Sequence, residues 1–250
     1  MPPLHHKIHF PFAQIIFRYL ILVGSVAGTL PKPLAAIKKR TMKRIVSAIL
    51  LTVVISSCAN SQDQEKRRLV GAPCEGCEAI FEFADKELTN TDTLPDFDKE
   101  GVKIKVEGTI YQTDGKTPAN NIILYVYHTN QNGIYAPNET SKGWGKKHGY
   151  NRTWLKTDKN GYYSFYTLKP APYPNRSEPA HIHYEILEPN GKYYYIASCH
   201  FQGDSLLTEN EISPDSPRGG NSGVLTFEKE GDVLVATRDI VLGKNIPGYE

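Results

Sequence analysis

The sequence predicts an all-β protein, an antiparallel sandwich of seven or more short strands preceded by an export segment and a short tether. Three observations predict it. From Val102 onward, apolar residues recur with period two or in short continuous runs rich in Val, Ile, Tyr and Phe. Clusters of Gly, Asp, Asn and Pro punctuate the runs. No amphipathic helix of ordinary length lies between them, so nothing supplies the crossovers a parallel sheet needs.

The first strand is VKIKVEGTIYQ, which alternates cleanly; TDGKTPANN is its turn, and IILYVYH follows as an unbroken apolar run. KTDKNGYYSFYTL reads as a turn at Asp158 to Gly161 opening an aromatic strand. HIHYEIL, YYYIAS, GVLTFE and DVLVATRDIVL supply further strands, the last two meeting around KEGD. This places the sandwich at residues 102–242, with a C-terminal tail at 243–250. No repeat of fixed period is present, which disfavours propellers and solenoids. Residues 58–101 form the tether and an N-terminal segment. SQDQEKRR is polar enough to stay solvated, CEAIFEFADKEL (77–88) predicts a short helix, and TNTDTLPDFDKEG supplies turns.

Upstream, MKRIVSAILLTVVISSC has a basic start, an apolar run too short to span a bilayer, two small serines and Cys58. This is the layout of a secretory signal, and its ending resembles a bacterial lipobox. Residues 42–57 are therefore expected to be a lipoprotein signal peptide. Cys58 is expected to be lipidated, leaving an exported protein anchored to a bacterial membrane on the periplasmic side or at the cell surface. Residues 1–41 hold a second apolar stretch broken by Pro11 and Arg18, and read either as a mis-assigned start or as a membrane anchor.

The chain has 250 residues, 40% hydrophobic and 22% charged, which is globular composition. Its formal charge of +2 conceals an asymmetry, because residues 1–57 carry eight Lys or Arg and no Asp or Glu. The remainder holds 21 basic against 27 acidic residues, net −6, so nucleic acid is excluded as a partner. With Cys58 lipidated, Cys74, Cys77 and Cys199 remain in an oxidising compartment. CEGC favours a local disulfide or paired thiols; a zinc site lacks a second ligand pair beyond Cys199 and His200, and no βαβ pattern supports thioredoxin-like chemistry.

TLKPAPYPNRSEPAHIHYEI carries the chemistry. His181 and His183 are two apart, so a strand projects both imidazoles from one face toward one metal. Pro170, Pro172, Pro174 and Pro179 stiffen the loop that holds Tyr173 just upstream. A phenolate oxygen suits a hard trivalent ion better than zinc, which points to iron. Taken singly, His128, His148 and His200 read as structural, with a supporting role beside the ligands as the alternative, and Tyr127 and Trp144 as core packing, with pocket lining as the alternative.

The stretch resembles the intradiol ring-cleavage dioxygenases, the catechol and protocatechuate 3,4-type enzymes, in its PYP loop and PAHIH strand. VEGTIYQTDGKTPANNIILYVYHTNQNGIY is similar to the family's opening strands and ends at Tyr135; FQGD, 201–204, resembles the element beyond the histidines. The likeness spans about residues 102 to 242 and implies a prealbumin-like sandwich. It further implies Fe(III) held by Tyr135, Tyr173, His181 and His183, with Tyr135 the displaceable ligand. The implied reaction cleaves a catechol between its hydroxyl-bearing carbons with O2, both oxygen atoms ending in a muconate-type diacid. Two positions depart from the pattern. Glu178 stands where the family commonly has an arginine, for which Arg176 is the candidate replacement, and Ser198 stands near the place of a glutamine. The helical dimerisation region of the catechol 1,2-type enzymes has no counterpart, and self-assembly into homo-oligomers stays open. The rival reading is a non-catalytic exported binding module for glycans or catechol siderophores.

Overall fold

The computed structural model describes residues 67–250. The expected signal segment, Cys58 and the first 41 residues lie outside the described residues. In chain order the strands are β1 (Arg68–Leu69), β2 (Thr91–Thr93), β3 (Lys103–Tyr111), β4 (Ile123–His128), β5 (Arg152–Lys156), β6 (Tyr162–Leu168) and β7 (Ile182–Leu187). They continue with β8 (Lys192–Tyr195), β9 (His200–Phe201), β10 (Val224–Leu225), β11 (Glu228–Glu230), β12 (Val233–Thr237) and β13 (Ile240–Val241). Among the described residues, helix amounts to a 3-10 turn at Cys77–Phe81 and two four-residue turns, α1 (Gly145–His148) and α2 (Glu209–Ile212).

Two sheets make the sandwich, one ordered β1-β8-β7-β4-β5 and the other β11-β12-β3-β6-β2, with β13 also on β3 and β9-β10 a separate ribbon. The pairs β3–β6, β4–β5, β4–β7, β7–β8 and β11–β12 are antiparallel, and short loops join β7 to β8 and β11 to β12. Parallel pairing enters where segments distant in sequence are added, with β1 on β8, β2 on β6, and β12 and β13 on β3. Ile104, Val106 and Ile110 of β3 and Phe165 of β6 face Leu124 and Val126 of β4 and Ile182, Tyr184 and Ile186 of β7 in one buried core. β3 alternates because its other face meets solvent. β4 reads as a continuous apolar run because both its faces are covered, the outer one presenting Tyr125 and Tyr127 to the segment packed over it.

The covering piece comes from upstream. Ala79, Ile80 and Leu88 pack on Tyr125, Tyr127 and Trp154, and the Trp154 indole Nε1 donates to the Ala79 carbonyl at 3.1 Å. The helix expected over 77–88 is only the five-residue 3-10 turn. Its N-terminal flank, Gly76, is left-handed and caps nothing, Ala84 breaks the run at φ 47°, and so short an isolated helix has little stability of its own. DVLVATRDIVL likewise divides into β12 and β13, because Arg238 turns inward between them. Gly108 on β3 permits this: a Cβ there would lie 2.0 Å from the Arg238 carbonyl oxygen. Tyr163 Oη donates to that same oxygen at 2.7 Å.

Candidate metal centre

Two loops and one strand bring the predicted residues together. His183 lies on β7 with its side chain opposite the core, and His181 precedes the strand on the same face. His181 Nδ1 donates to the Pro179 carbonyl at 2.8 Å, which fixes the tautomer and leaves Nε2 as a lone-pair donor. The Ala180 amide in between donates to Asp204 Oδ2 at 3.0 Å, so the FQGD element holds the histidine strand in place.

The tyrosine loops are locked to each other. Thr129 Oγ1 donates to the Ala171 carbonyl at 2.7 Å, and the Ala171 amide donates to the Asn130 carbonyl at 3.3 Å. Gly133 of NGIY sits at φ 73°, and a Cβ there would fall 2.0 Å from the Pro172 carbonyl oxygen. Only glycine allows the loop carrying Tyr135 to lie this close to the loop carrying Tyr173.

The four side chains meet in a closed circuit. Tyr135 Oη lies 3.0 Å from Tyr173 Oη and 2.8 Å from His183 Nε2. Tyr173 Oη lies 3.3 Å from His181 Nε2, and the two histidine Nε2 atoms are 3.1 Å apart. Bonds of about 2.0–2.2 Å from one first-row ion would set neighbouring donors about 2.8–3.5 Å apart, so these spacings fit a shared ion. Two phenol oxygens with two imidazoles suit a hard trivalent cation, and the donor set fits iron. Burial, followed by the bond to Tyr173, raises the Tyr135 phenol above its ordinary range; burial does the same to Tyr173. Burial and the neighbouring histidines hold His183 well below the usual histidine value, keeping it neutral as a ligand must be.

Arg176 does not join them. It is an exposed residue in a left-handed turn, its amide bonded to the Tyr173 carbonyl at 2.8 Å. The charge of Glu178, by contrast, acts on both tyrosines. Cys74 and Cys77 are joined in a disulfide, which removes the zinc alternative, and Cys199 is a buried free thiol 2.9 Å from Arg238 Nη1.

Beside His183 lies a cavity of about 400 Å³ whose wall includes Cys74, Glu75, Tyr127, Glu185, Tyr195 and Ser198. Tyr127, read from the sequence as packing with pocket lining as the alternative, stacks on His183 at 4.5 Å and on His148 at 3.9 Å and does both. Glu185 was missed altogether. The signal was present, because positions 181, 183 and 185 share one face of a strand. Burial, then Glu78, pushes its carboxyl up to about 9, as befits an acid with no cation beside it.

A sandwich that gathers two phenol oxygens and two imidazole nitrogens on the outer face of one sheet is a β protein built around a mixed oxygen and nitrogen donor site. The family model described as Dioxygenase matches residues 80–242, and the chain belongs to this family, the intradiol ring-cleavage dioxygenases. Members are iron-using dioxygenases of catechol-type compounds. The chain is 28% identical over 201 residues to the protocatechuate 3,4-dioxygenase beta chain of Burkholderia cepacia, covering 72% of this chain and 80% of the relative. Among solved structures it is similar to a dioxygenase domain from Streptomyces sp. SirexAA-E, with 18% identity, TM-score 0.46, and 70% and 98% of the two chains covered. It is also similar to an intradiol ring-cleavage dioxygenase from Tetranychus urticae, with 21% identity, TM-score 0.46, and 69% and 91% covered.

Proposed function

We propose that the protein is a non-haem Fe(III) intradiol dioxygenase that opens a catechol ring between its hydroxyl-bearing carbons with O2, giving a muconate-type diacid. The observation that carries the reading is the circuit of Tyr135, Tyr173, His181 and His183, whose donor atoms stand 2.8–3.3 Å apart. Ferric iron bound there would draw electron density from a chelated catecholate and ready its ring for oxygen.

The chain's own groups do the rest. His181, with its Nδ1 proton held by Pro179, presents a fixed Nε2. Tyr173 lies between two prolines, and Tyr135 has the more strongly raised phenol, so a Tyr135 phenolate released from the ion would be the natural acceptor for a proton leaving the incoming catechol. Tyr127 stacks between His148 and His183 and holds the His183 ring in its plane. Glu178, in place of a cation, gives no charge assistance to an electron-rich ring, which supports slow turnover of unsubstituted catechol.

The test is the visible spectrum of ferric-loaded protein, before and after catechol under argon, followed by oxygen uptake. A tyrosinate-to-iron band that shifts with catechol is expected, and Tyr173→Phe should alter the band and lower kcat/KM more than about 100-fold, beyond what loss of a supporting contact costs. A colourless protein without oxygen uptake would leave the binding-module reading in its place.

A further inference from the structure

The cavity beside His183 is larger than a catechol needs. Its volume is about 400 Å³, whereas catechol fills about 140 Å³ at the packing density of a protein interior. The catechol ring alone would leave more than half of the space to water. Beyond His183 the wall continues through Tyr195, Ile196 and Ser198, with Pro73 of the upstream segment also lining it.

That part of the wall suits an uncharged ring. Tyr195 pairs with Glu185 across the sheet, so it shares the face of His183 and stands about 7–8 Å from it on the diagonal, the span of two joined rings. Arg218 covers one face of the Tyr195 ring at 3.6 Å and leaves the other for a partner. Tyr127, covered on both faces by His148 and His183, has only its edge to offer. Aromatic rings in offset or edge-to-face contact gain more than their buried area alone supplies. Charge is absent from the cavity's recognition surface: among the described residues no Lys or Arg lines it, Glu75 is bonded to Lys147 at 2.9 Å, and Glu185 is 2% exposed. Room is left by Ser198. Cys199 is buried in the core and bridges Ile182, so Ser198 leaves the opposite face, the one His183 occupies, with a side chain of a single hydroxymethyl group.

We infer that the cavity receives a second, uncharged aromatic ring carried on the catechol, with Tyr195 as the surface that ring meets and Ser198 as the residue that leaves it room. The inference rests on the ring-cleavage reading for the position of the catechol hydroxyls at the four donors. Filling the space with an aryl group replaces water against Pro73 and Ile196 and adds ring contacts at Tyr195. A longer side chain at position 198 would occupy the same space and exclude it.

Catechol, 4-phenylcatechol and 4-cyclohexylcatechol test this on the full-length iron-loaded protein, the last matching the phenyl compound in bulk without its aromatic ring. Dissociation constants come from calorimetry under argon and kcat/KM from oxygen uptake. 4-Phenylcatechol should bind about tenfold or more tightly than catechol, and about threefold more tightly than the cyclohexyl compound. Ser198→Gln should cut the phenyl-to-catechol ratio about fivefold, and Ser198→Asn, the smaller step, by less. Tyr195→Leu should erase the preference for phenyl over cyclohexyl. Each ratio is read within one variant, so loss of folded or iron-loaded protein cancels, and Ser198→Asn gives the reading where Ser198→Gln fails to fold. Equal binding of phenylcatechol and catechol, equal binding of the phenyl and cyclohexyl compounds, or a ratio unchanged by lengthening residue 198 overturns the inference. Failure of the ring-cleavage reading shows differently, as no charge-transfer band and no oxygen uptake with any of the three compounds. Calorimetry then still ranks them: a phenyl preference that falls as residue 198 lengthens upholds the inference, and its absence overturns it.

Discussion

Asp204 touches none of the four donor atoms, yet it fixes where one of them stands. Its Oδ2 accepts the Ala180 amide and its Oδ1 the Leu206 amide, tying the loop after β9 to the start of the histidine strand. Contacts that orient a ligand are worth about 10–100-fold in metal affinity, so Asp204→Ala should weaken iron binding by roughly tenfold or more. A chelator competition, with the circular dichroism spectrum unchanged, measures it. At this scale the sequence was most readable where chemistry demands a rare combination, the PYP and PAHIH segments. It was least readable where one side chain does two jobs. Tyr127 looks like any core tyrosine until its stacking on His183 is seen, and Glu185 looks like the polar member of an alternating strand until the roof above it is known. Arg176 lies exposed in a left-handed turn, a geometry that Pro174 and Asn175 do not announce.

The loops that carry the tyrosines act as one unit. Gly133 meets the Pro172 carbonyl with no room for a methyl group, and its φ of 73° is costly for any residue with a side chain. Gly133→Ala should therefore part the loops, destabilise the fold by about 1–2 kcal/mol and lower iron affinity, whereas Tyr135→Phe should lower iron affinity with little loss of stability. Urea unfolding paired with iron titration separates the two effects. Strand content was legible element by element from Val102, because period-two alternation and turn residues are local properties. The parallel additions at β1, β2 and β13 were not. They pair residues far apart in the chain, such as Leu69 with Tyr193 and Thr91 with Ser164, and a two- or three-residue strand has no period to read. The expected helix over 77–88 failed for the converse reason, since CEAIF has helical spacing but is held by the sheet beneath it.

Across the whole molecule, buried histidines set the response to acid. His128 is 1% exposed, bonded to the Thr129 carbonyl and to Thr167 Oγ1, and burial pulls it down to about 4. His148 is likewise drawn to about 4, chiefly by burial. A folded value below the unfolded value of about 6.5 means the neutral form favours folding. That stability is present above pH 6.5 and is lost as pH falls toward 4, by about 3 kcal/mol for His128 alone. The urea midpoint should drop steeply across this window, and His128→Gln should flatten the slope; an unchanged slope would assign the acid response to other groups. The sandwich as a class was legible in full, because many short strands with no crossover helix admit few architectures. What lay beyond reading was which upstream residues complete it, for Ile80, Leu88 and Leu94 look like isolated apolar positions in a polar stretch until the sheet presents a face for them.

The wall of the cavity opposite the strands, Pro73 to Glu75, belongs to a segment that carries none of the four donors. The cavity therefore joins two stretches of chain, the strands that carry His183 and this upstream segment, and only the first holds a donor. Drift in the first would be ruinous, while the second can be rewritten residue by residue beneath the same disulfide. Variation confined to positions 72, 73 and 75, which leaves Cys74 and Cys77 joined, is the economical way to reshape that wall.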